Sequence, residues 1–182
     1  MSLLLTIIAA NSISSEAAHS TLATVSEVDL KRYMGTWYEI ARLPNSFQKK
    51  CSGNVSASYA SIDSDTIEVT NRCKKVSGGC AESKGRARKA VSNGPNSKLK
   101  VTFAPSWLSW LGFVWGNYWI LELAPDYSYS VVGEPTFKYL WVLSRTKTMD
   151  KIVLEGILER AKQKGFDTSK VIMTVQDQDN MR

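Results

Sequence analysis

Histidine is almost missing from this chain. His19 is the only one in 182 residues, and it lies in an unpatterned leader. Ser–His, Cys–His and His-ligated metal chemistry therefore have no place in the body of the protein. Cysteine is scarce too, with three at positions 51, 73 and 80 and no Cys-x-x-Cys spacing. There is no glycine-rich phosphate cradle, so neither a metal nor a cofactor is expected. Long apolar runs are also lacking. The run at the amino terminus, LLLTIIAA (3–10), has eight residues, whereas a membrane-crossing helix takes about 20. Every later apolar run is interrupted by charge or proline.

A net acidic charge is absent as well. The chain carries +6, and because its first 24 residues hold Glu16 and no Lys or Arg, the body from Val25 onward holds +7. Scattered cations of this number suit solubility or attraction to anionic lipid headgroups. The dense cluster Lys84, Arg86, Arg88 and Lys89 contains no interleaved aromatic residue, which argues against nucleic acid as a partner. Its even-numbered members read as the solvated face of a strand.

Alternation with period two dominates the rest. TWYEIAR, NVSASYA, TIEVTNRC, AESKGRARKAV, KLKVTFA, NYWILELA, YSYSVVGE, YLWVLSR and KVIMTV read as nine strands, most of them joined by hairpin-sized gaps. Such a meander closes into a barrel or stacks as a sandwich. A helix interrupts it over TMDKIVLEGILERAKQKGF, with Ile152, Val153, Leu154, Ile157, Leu158 and Ala161 on one stripe and Thr148 as its cap. It should pack outside the sheet. A short helical turn before the first strand points Leu30 and Tyr33 inward. The leader, residues 1–24, reads as an export signal followed by small polar residues, and residues 25–182 as one domain.

If the hairpin in NVSASYASIDSDTIEVTNRC turns at Ile62, Val55 faces Val69, Ala57 faces Ile67 and Cys51 faces Cys73. Facing Cβ atoms are close enough for a disulfide, so a Cys51–Cys73 bridge with Cys80 free is expected; Cys73–Cys80 is the competing pairing. A structural disulfide agrees with an oxidising compartment. The connection PSWLSWLGFVWG (105–116) holds three Trp, two Leu, a Phe and a Val. It is read as a lid over a cavity mouth, a membrane-contacting patch, or a cluster packed on its own barrel.

Three stretches, GTWYEIAR (35–42), APDYSYSVVGEP (124–135) and YLWVLSRT (139–146), occur in the order and at the separations of the signature regions of lipocalins. The wording WYEIARLPNSFQ, YLWVLSRT and GFDTSK is similar to the bacterial outer-membrane lipocalin branch, which includes plant temperature-induced lipocalins and resembles apolipoprotein D. The likeness covers residues 27–176. It implies an all-β fold with one helix: an eight-stranded antiparallel up-and-down barrel, the C-terminal helix packed outside it, and a ninth strand added to its outside. It also implies that Trp37 plugs the closed end under Arg145, beside a permissive Gly35. Bacterial members of this branch carry a lipidated cysteine after the signal core, where this chain has Asn11.

By parity, Glu39 and Ala41 share the inner face with Trp37, and Trp141 shares it with Leu143 and Arg145. Both faces of NYWILEL are apolar, so Tyr118, Ile120 and Glu122 compete with Trp119, Leu121 and Leu123; the family's pattern favours Tyr118. The ligand-binding set expected is Glu39, Tyr59, Phe103, Trp107, Trp110, Tyr118, Glu122 and Trp141. The resemblance implies a carrier or store of small hydrophobic ligands, such as fatty acids or lysophospholipids, in the periplasm or outer membrane, as a monomer or homodimer and not an enzyme. Two alternatives stand beside it: an enzyme on this scaffold using Glu39 or Glu122, and an interaction module using the 106–115 loop.

Overall fold

The computed structural model describes residues 22–177. The expectations for the leader, including its apolar run and His19, lie outside those residues, apart from its last three. Of these, Leu22 is buried against the packed helix and Thr24 Oγ1 accepts from Ser97 Oγ at 3.1 Å, so the packed chain begins before residue 25.

A single turn of helix, α1 (Leu30–Tyr33), opens the fold, capped by the Asp29 carboxylate. Eight strands follow: β1 (Gly35–Arg42), β2 (Cys51–Ser61), β3 (Thr66–Lys75), β4 (Cys80–Lys89), β5 (Lys98–Thr102), β6 (Gly116–Leu123), β7 (Tyr129–Gly133) and β8 (Leu140–Ser144). Each pairs antiparallel with the next, β8 pairs with β1, and β1 pairs with β2, which closes the barrel. Closure removes the free edges that an open sheet of this size would expose. Helix α2 (Lys151–Gln163) lies outside, burying Leu154, Ile157 and Ala161 against Ile40, Leu121, Val131, Leu140 and Val142. Ile152 and Val153, expected on the same stripe, are exposed. The cap is Asp150 and not Thr148: its carboxylate accepts from Ile152 N at 2.8 Å and Val153 N at 3.1 Å.

The β2–β3 hairpin turns later than the sequence suggests. Asp63 Oδ1 accepts from the backbone of Asp65 and Thr66, both at 2.8 Å, and this side-chain turn displaces the bend past Ile62. Tyr59 therefore faces Val69 and Ala57 faces Asn71, a slip of four residues from the expected register. An even slip preserves the inner face, so Ala57, Tyr59, Ile67 and Val69 still point into the barrel. Cys51 ends opposite Lys75 rather than Cys73. Irregular pairing around Asn54 (φ 50°) brings the two sulfurs together nonetheless, and the Cys51–Cys73 disulfide forms with Cα atoms 5.7 Å apart. Cys80 is free and exposed.

The ninth strand, β9 (Ile172–Met173), is shorter than the run of residues that suggested it. It pairs with the upper part of β1, above the level where β1 leaves β2. The next residues cross back to β2. Thr174 N donates to Ile40 O at 2.9 Å, Asn54 N donates to Val175 O at 2.8 Å, and the Gln176 amide donates to both Glu39 O and Val55 O at 2.8 Å. This C-terminal strap fills the seam that β1 and β2 leave open, instead of lying only against the outside.

Candidate functional site

One end of the barrel is sealed. Trp37 is fully buried, its indole Nε1 donates to Tyr33 O at 2.8 Å, and the Arg145 guanidinium lies 3.8 Å from its ring centre. Arg145 also donates to Thr36 O at 3.0 Å and Arg32 O at 2.7 Å, so one planar fork ties α1, β1 and β8 together. Gly35 holds φ at +91°, a conformation other residues adopt only with strain, and a Cβ there would meet Arg145 Nη1 at 3.4 Å.

Above this floor stands a chain of buried hydroxyls. Tyr59 bonds to Tyr118, Tyr118 to Tyr33, both at 2.9 Å, and Tyr33 to Ser130 at 3.0 Å. Burial pushes all three phenols above their ordinary pKa, so they remain neutral donors and acceptors. Tyr118 thus faces inward as the family pattern implies. Around the cluster, Ile67, Val69, Ala87, Leu99, Ile120, Val132 and Leu143 fill the lower half.

The upper half is different. Its inward-facing side chains keep partial solvent access: Ala57, Asn71, Val101 and Trp141 are half-buried and Ser83 is exposed. On β4 the inner face is made of Ala81, Ser83, Gly85 and Ala87, opposite Cys73, Asn71, Val69 and Ile67. A Cβ on Gly85 would lie 2.7 Å from the Phe103 ring, so the glycine that weakens β4 in the sequence is what lets Phe103 lie across the wall at the mouth. Phe47, Tyr139 and Trp141 stack together at the same end, with ring centres 5.6–6.2 Å apart.

Glu39 faces inward and is buried, as expected, but it is not free. Its carboxylate accepts from Arg42 Nη1 at 3.0 Å, from Gln48 Nε2 at 2.7 Å and from Thr174 Oγ1. Gln48 in turn accepts from Trp141 Nε1 at 3.0 Å and Asn45 Nδ2 at 2.6 Å. Ala41, expected beside Glu39, faces out. A bulge between Glu39 and Ala41 flips the alternation, so Arg42 stands opposite Trp141 in its stead. Two buried polar atoms here have no protein partner, Arg42 Nε and, across the barrel, Asn71 Oδ1.

Glu122 is corrected outright. A second bulge, between Ile120 and Glu122, turns it to the outer face, where Arg160 of α2 grips it at 2.6 Å and Tyr129 Oη donates at 2.8 Å. Partial burial raises its carboxyl pKa, but the bonds from Arg160 and Tyr129 outweigh that and hold it below the ordinary value. Trp107 and Trp110 are not brought to the cavity either. Their loop forms two 3-10 turns, Ser106–Leu108 and Gly112–Val114, and leaves Trp107 71%, Trp110 80% and Phe113 84% exposed. The expected binding set missed Asn71, and it missed Arg42 and Gln48, which meet at Glu39; Tyr33 was expected inward, but not its bonds to Tyr118 and Ser130. Parity on β3 points to Asn71, but the bulge that turns Arg42 inward has no sequence signal.

Among the described residues, one cleft of about 420 Å³ lies between residues 43–46 and 137–139 and another of about 520 Å³ lies against β2, β3 and the strap. Lys138, Asp167 and Lys170 line the first, and Arg72, Lys74, Lys147 and Asp177 line the second. Such polar walls suit a greasy ligand less than the aromatic interior does.

The family model described as a lipocalin-like domain matches residues 28–176. Temperature-induced lipocalin-1 of Arabidopsis thaliana is 37% identical over 156 residues, covering 85% of this chain and 83% of its own. The outer membrane lipoprotein Blc of Vibrio cholerae is 36% identical over 159 residues, covering 84% and 85%. Apolipoprotein D of Mus musculus is 32% identical over 161 residues, covering 84% and 78%. Among solved structures, lobster apocrustacyanin A1 superposes with a TM-score of 0.64 at 20% identity, covering 82% of this chain and 81% of that one. The sealed floor under Trp37 and Arg145 is thus the base of a shared barrel, and the chain belongs to the lipocalin family.

Proposed function

We propose that the protein binds single-tail lipids, fatty acids or lysophospholipids, in the upper half of its barrel and carries or stores them as an exported protein at the cell envelope. One observation carries this reading: above a packed floor, the inward side chains Ala57, Val101 and Trp141, with the polar Asn71 and Ser83 among them, keep solvent access instead of closing into a core. Burying an acyl chain there supplies about 0.8 kcal/mol per methylene, enough for micromolar binding with little polar recognition. Arg42 Nε and Asn71 Oδ1 offer a donor and an acceptor to a headgroup. The relatives named outer membrane lipoprotein support the envelope as the place of action.

The enzyme alternative is disfavoured by the carboxylates themselves. Glu39 already accepts from three donors, and Glu122 points away from the barrel. The aromatic 106–115 loop supports the membrane-contact reading: three large rings exposed at the mouth suit a bilayer interface, where a lipid tail leaves or enters.

Titration with palmitic acid and with a lysophospholipid, followed by native mass spectrometry and Trp141 fluorescence, tests the cavity. One lipid per barrel is expected, with the Trp141→Phe variant losing the fluorescence response. A protein that takes up neither lipid, nor any from a broader single-tail panel, refutes the reading.

A further inference from the structure

The outer face of β4, β5 and β6 is a ladder of cations on indoles. Arg88 lies 4.1 Å from the Trp115 ring centre and Lys98 lies 4.4 Å from that of Trp119. Arg86 and Lys100 stand beside them on the same face, since Arg86 pairs with Thr102 and Lys100 with Arg88. Among the described residues none of these four cations forms an ion pair. The carboxylate nearest in register, Glu68, faces Arg86 across β3 and leaves it unpaired. The ladder runs directly into the exposed aromatic loop through Trp115. The mouth loops add exposed Lys49, Lys50 and Lys138; of the carboxylates there, Glu134 is buried within its own turn, accepting from Thr136, Lys138 and Tyr139, and Asp167 beside them pairs with Lys170 at 2.7 Å. The β2–β3 turn at the sealed end carries Asp63 and Asp65 instead.

We infer that this cationic face, continuous with the mouth, docks the barrel mouth-down and tilted onto β4–β5 against an anionic bilayer, with lipid phosphates between Arg86 and Lys100 and the rings of residues 107–113 in the interface. The inference rests on the lipid-carrier reading for its purpose but on separate residues for its chemistry. Charge complementarity selects the partner. Nucleic acid is the other polyanion such a face can meet. The sequence spaces no aromatic residue among the cations, yet the fold places Trp115 and Trp119 there. Each indole already carries a cation over one face, which leaves less ring for a base to stack on. The exposed Trp110 and Phe113 also have an apolar phase to enter only at a membrane.

The test is co-sedimentation with phosphatidylcholine vesicles, with and without phosphatidylglycerol, at low and high salt. Wild type should favour the phosphatidylglycerol vesicles by at least about tenfold at low salt and lose the preference at high salt. Arg86→Gln with Lys100→Gln should weaken that binding by roughly 25-fold, while palmitate uptake and melting temperature stay unchanged. Lys98→Gln with Lys100→Gln provides a second variant with the same expectation. Unchanged binding in both variants, indifference of the wild type to phosphatidylglycerol, or displacement from vesicles by a short single-stranded DNA would each overturn the inference. A wild type that docks on phosphatidylglycerol yet takes up no palmitate would remove the cargo reading and leave the docking face standing.

Discussion

Replacing Glu39 by leucine tests the inner wall most sharply. Its carboxylate is 3% exposed and faces an Arg42 side chain that is only 11% exposed. Removing the acid strands a buried guanidinium and leaves Gln48 Nε2 and Thr174 Oγ1 without their acceptor. Breaking a buried pair from one side costs about 3–5 kcal/mol, which for a domain of this size lowers Tm by roughly 6–20 °C. Adding Arg42→Met to Glu39→Leu removes the stranded charge and should recover most of that loss, because a pair exchanged for well-packed apolar groups is often near neutral. The double-mutant cycle, measured by urea unfolding, should give a coupling of at least about 2 kcal/mol. Lipid uptake should survive in the double variant, whereas a catalytic Glu39 would abolish turnover in both. Additivity within about 0.5 kcal/mol refutes the account of Glu39 as a structural strut.

Removing the disulfide by Cys51→Ser with Cys73→Ser frees a loop of 22 residues and should cost about 3 kcal/mol, seen as a lower urea midpoint; a loss under about 1 kcal/mol would count against a chain-entropy role. The buried phenols Tyr33, Tyr59 and Tyr118 hold their protons more tightly when folded, so their contribution is complete below the unfolded value near 10 and falls as pH rises above it. Each should steepen the decline by about 1.4 kcal/mol per pH unit, and Tyr118→Phe should flatten unfolding curves measured between pH 9 and about 11. Glu122→Gln loosens the grip of Arg160 on β6. Because the Arg160 side chain is 46% exposed, the expected loss is about 1 kcal/mol, with palmitate binding unaltered; impaired binding would return Glu122 to the site.

The nine strands and the outer helix were legible because each rests on a local pattern, alternation or a 3.6-residue stripe; the indole floor came from the family resemblance, and the disulfide pair was right although the register that suggested it slipped by four residues. Bulges were not. At Ile40 and again at Leu121 a single extra residue reverses which side chains face inward, and nothing in WYEIAR or YWILEL marks the spot. That is why Arg42 replaced Ala41 inside and Glu122 left the interior. The aromatic loop misled for another reason. Composition shows that Trp107 and Trp110 have apolar surface to place, but only three-dimensional geometry shows that the barrel they crown leaves them facing outward.

The strap has a consequence for how the chain is made. Ile40 and Asn54, early in the sequence, receive their last backbone partners from Thr174 and Val175, more than a hundred residues later. Until that segment emerges, the wall between the first two strands stays unzipped above Tyr38, and a nascent barrel exposes its interior. Contacts so distant in sequence slow folding and lengthen the time that apolar surface is bare. A chain cut short before residue 174 should therefore be prone to aggregation during synthesis, and a tag fused close behind residue 177 would sit beside the last stitch to be sewn.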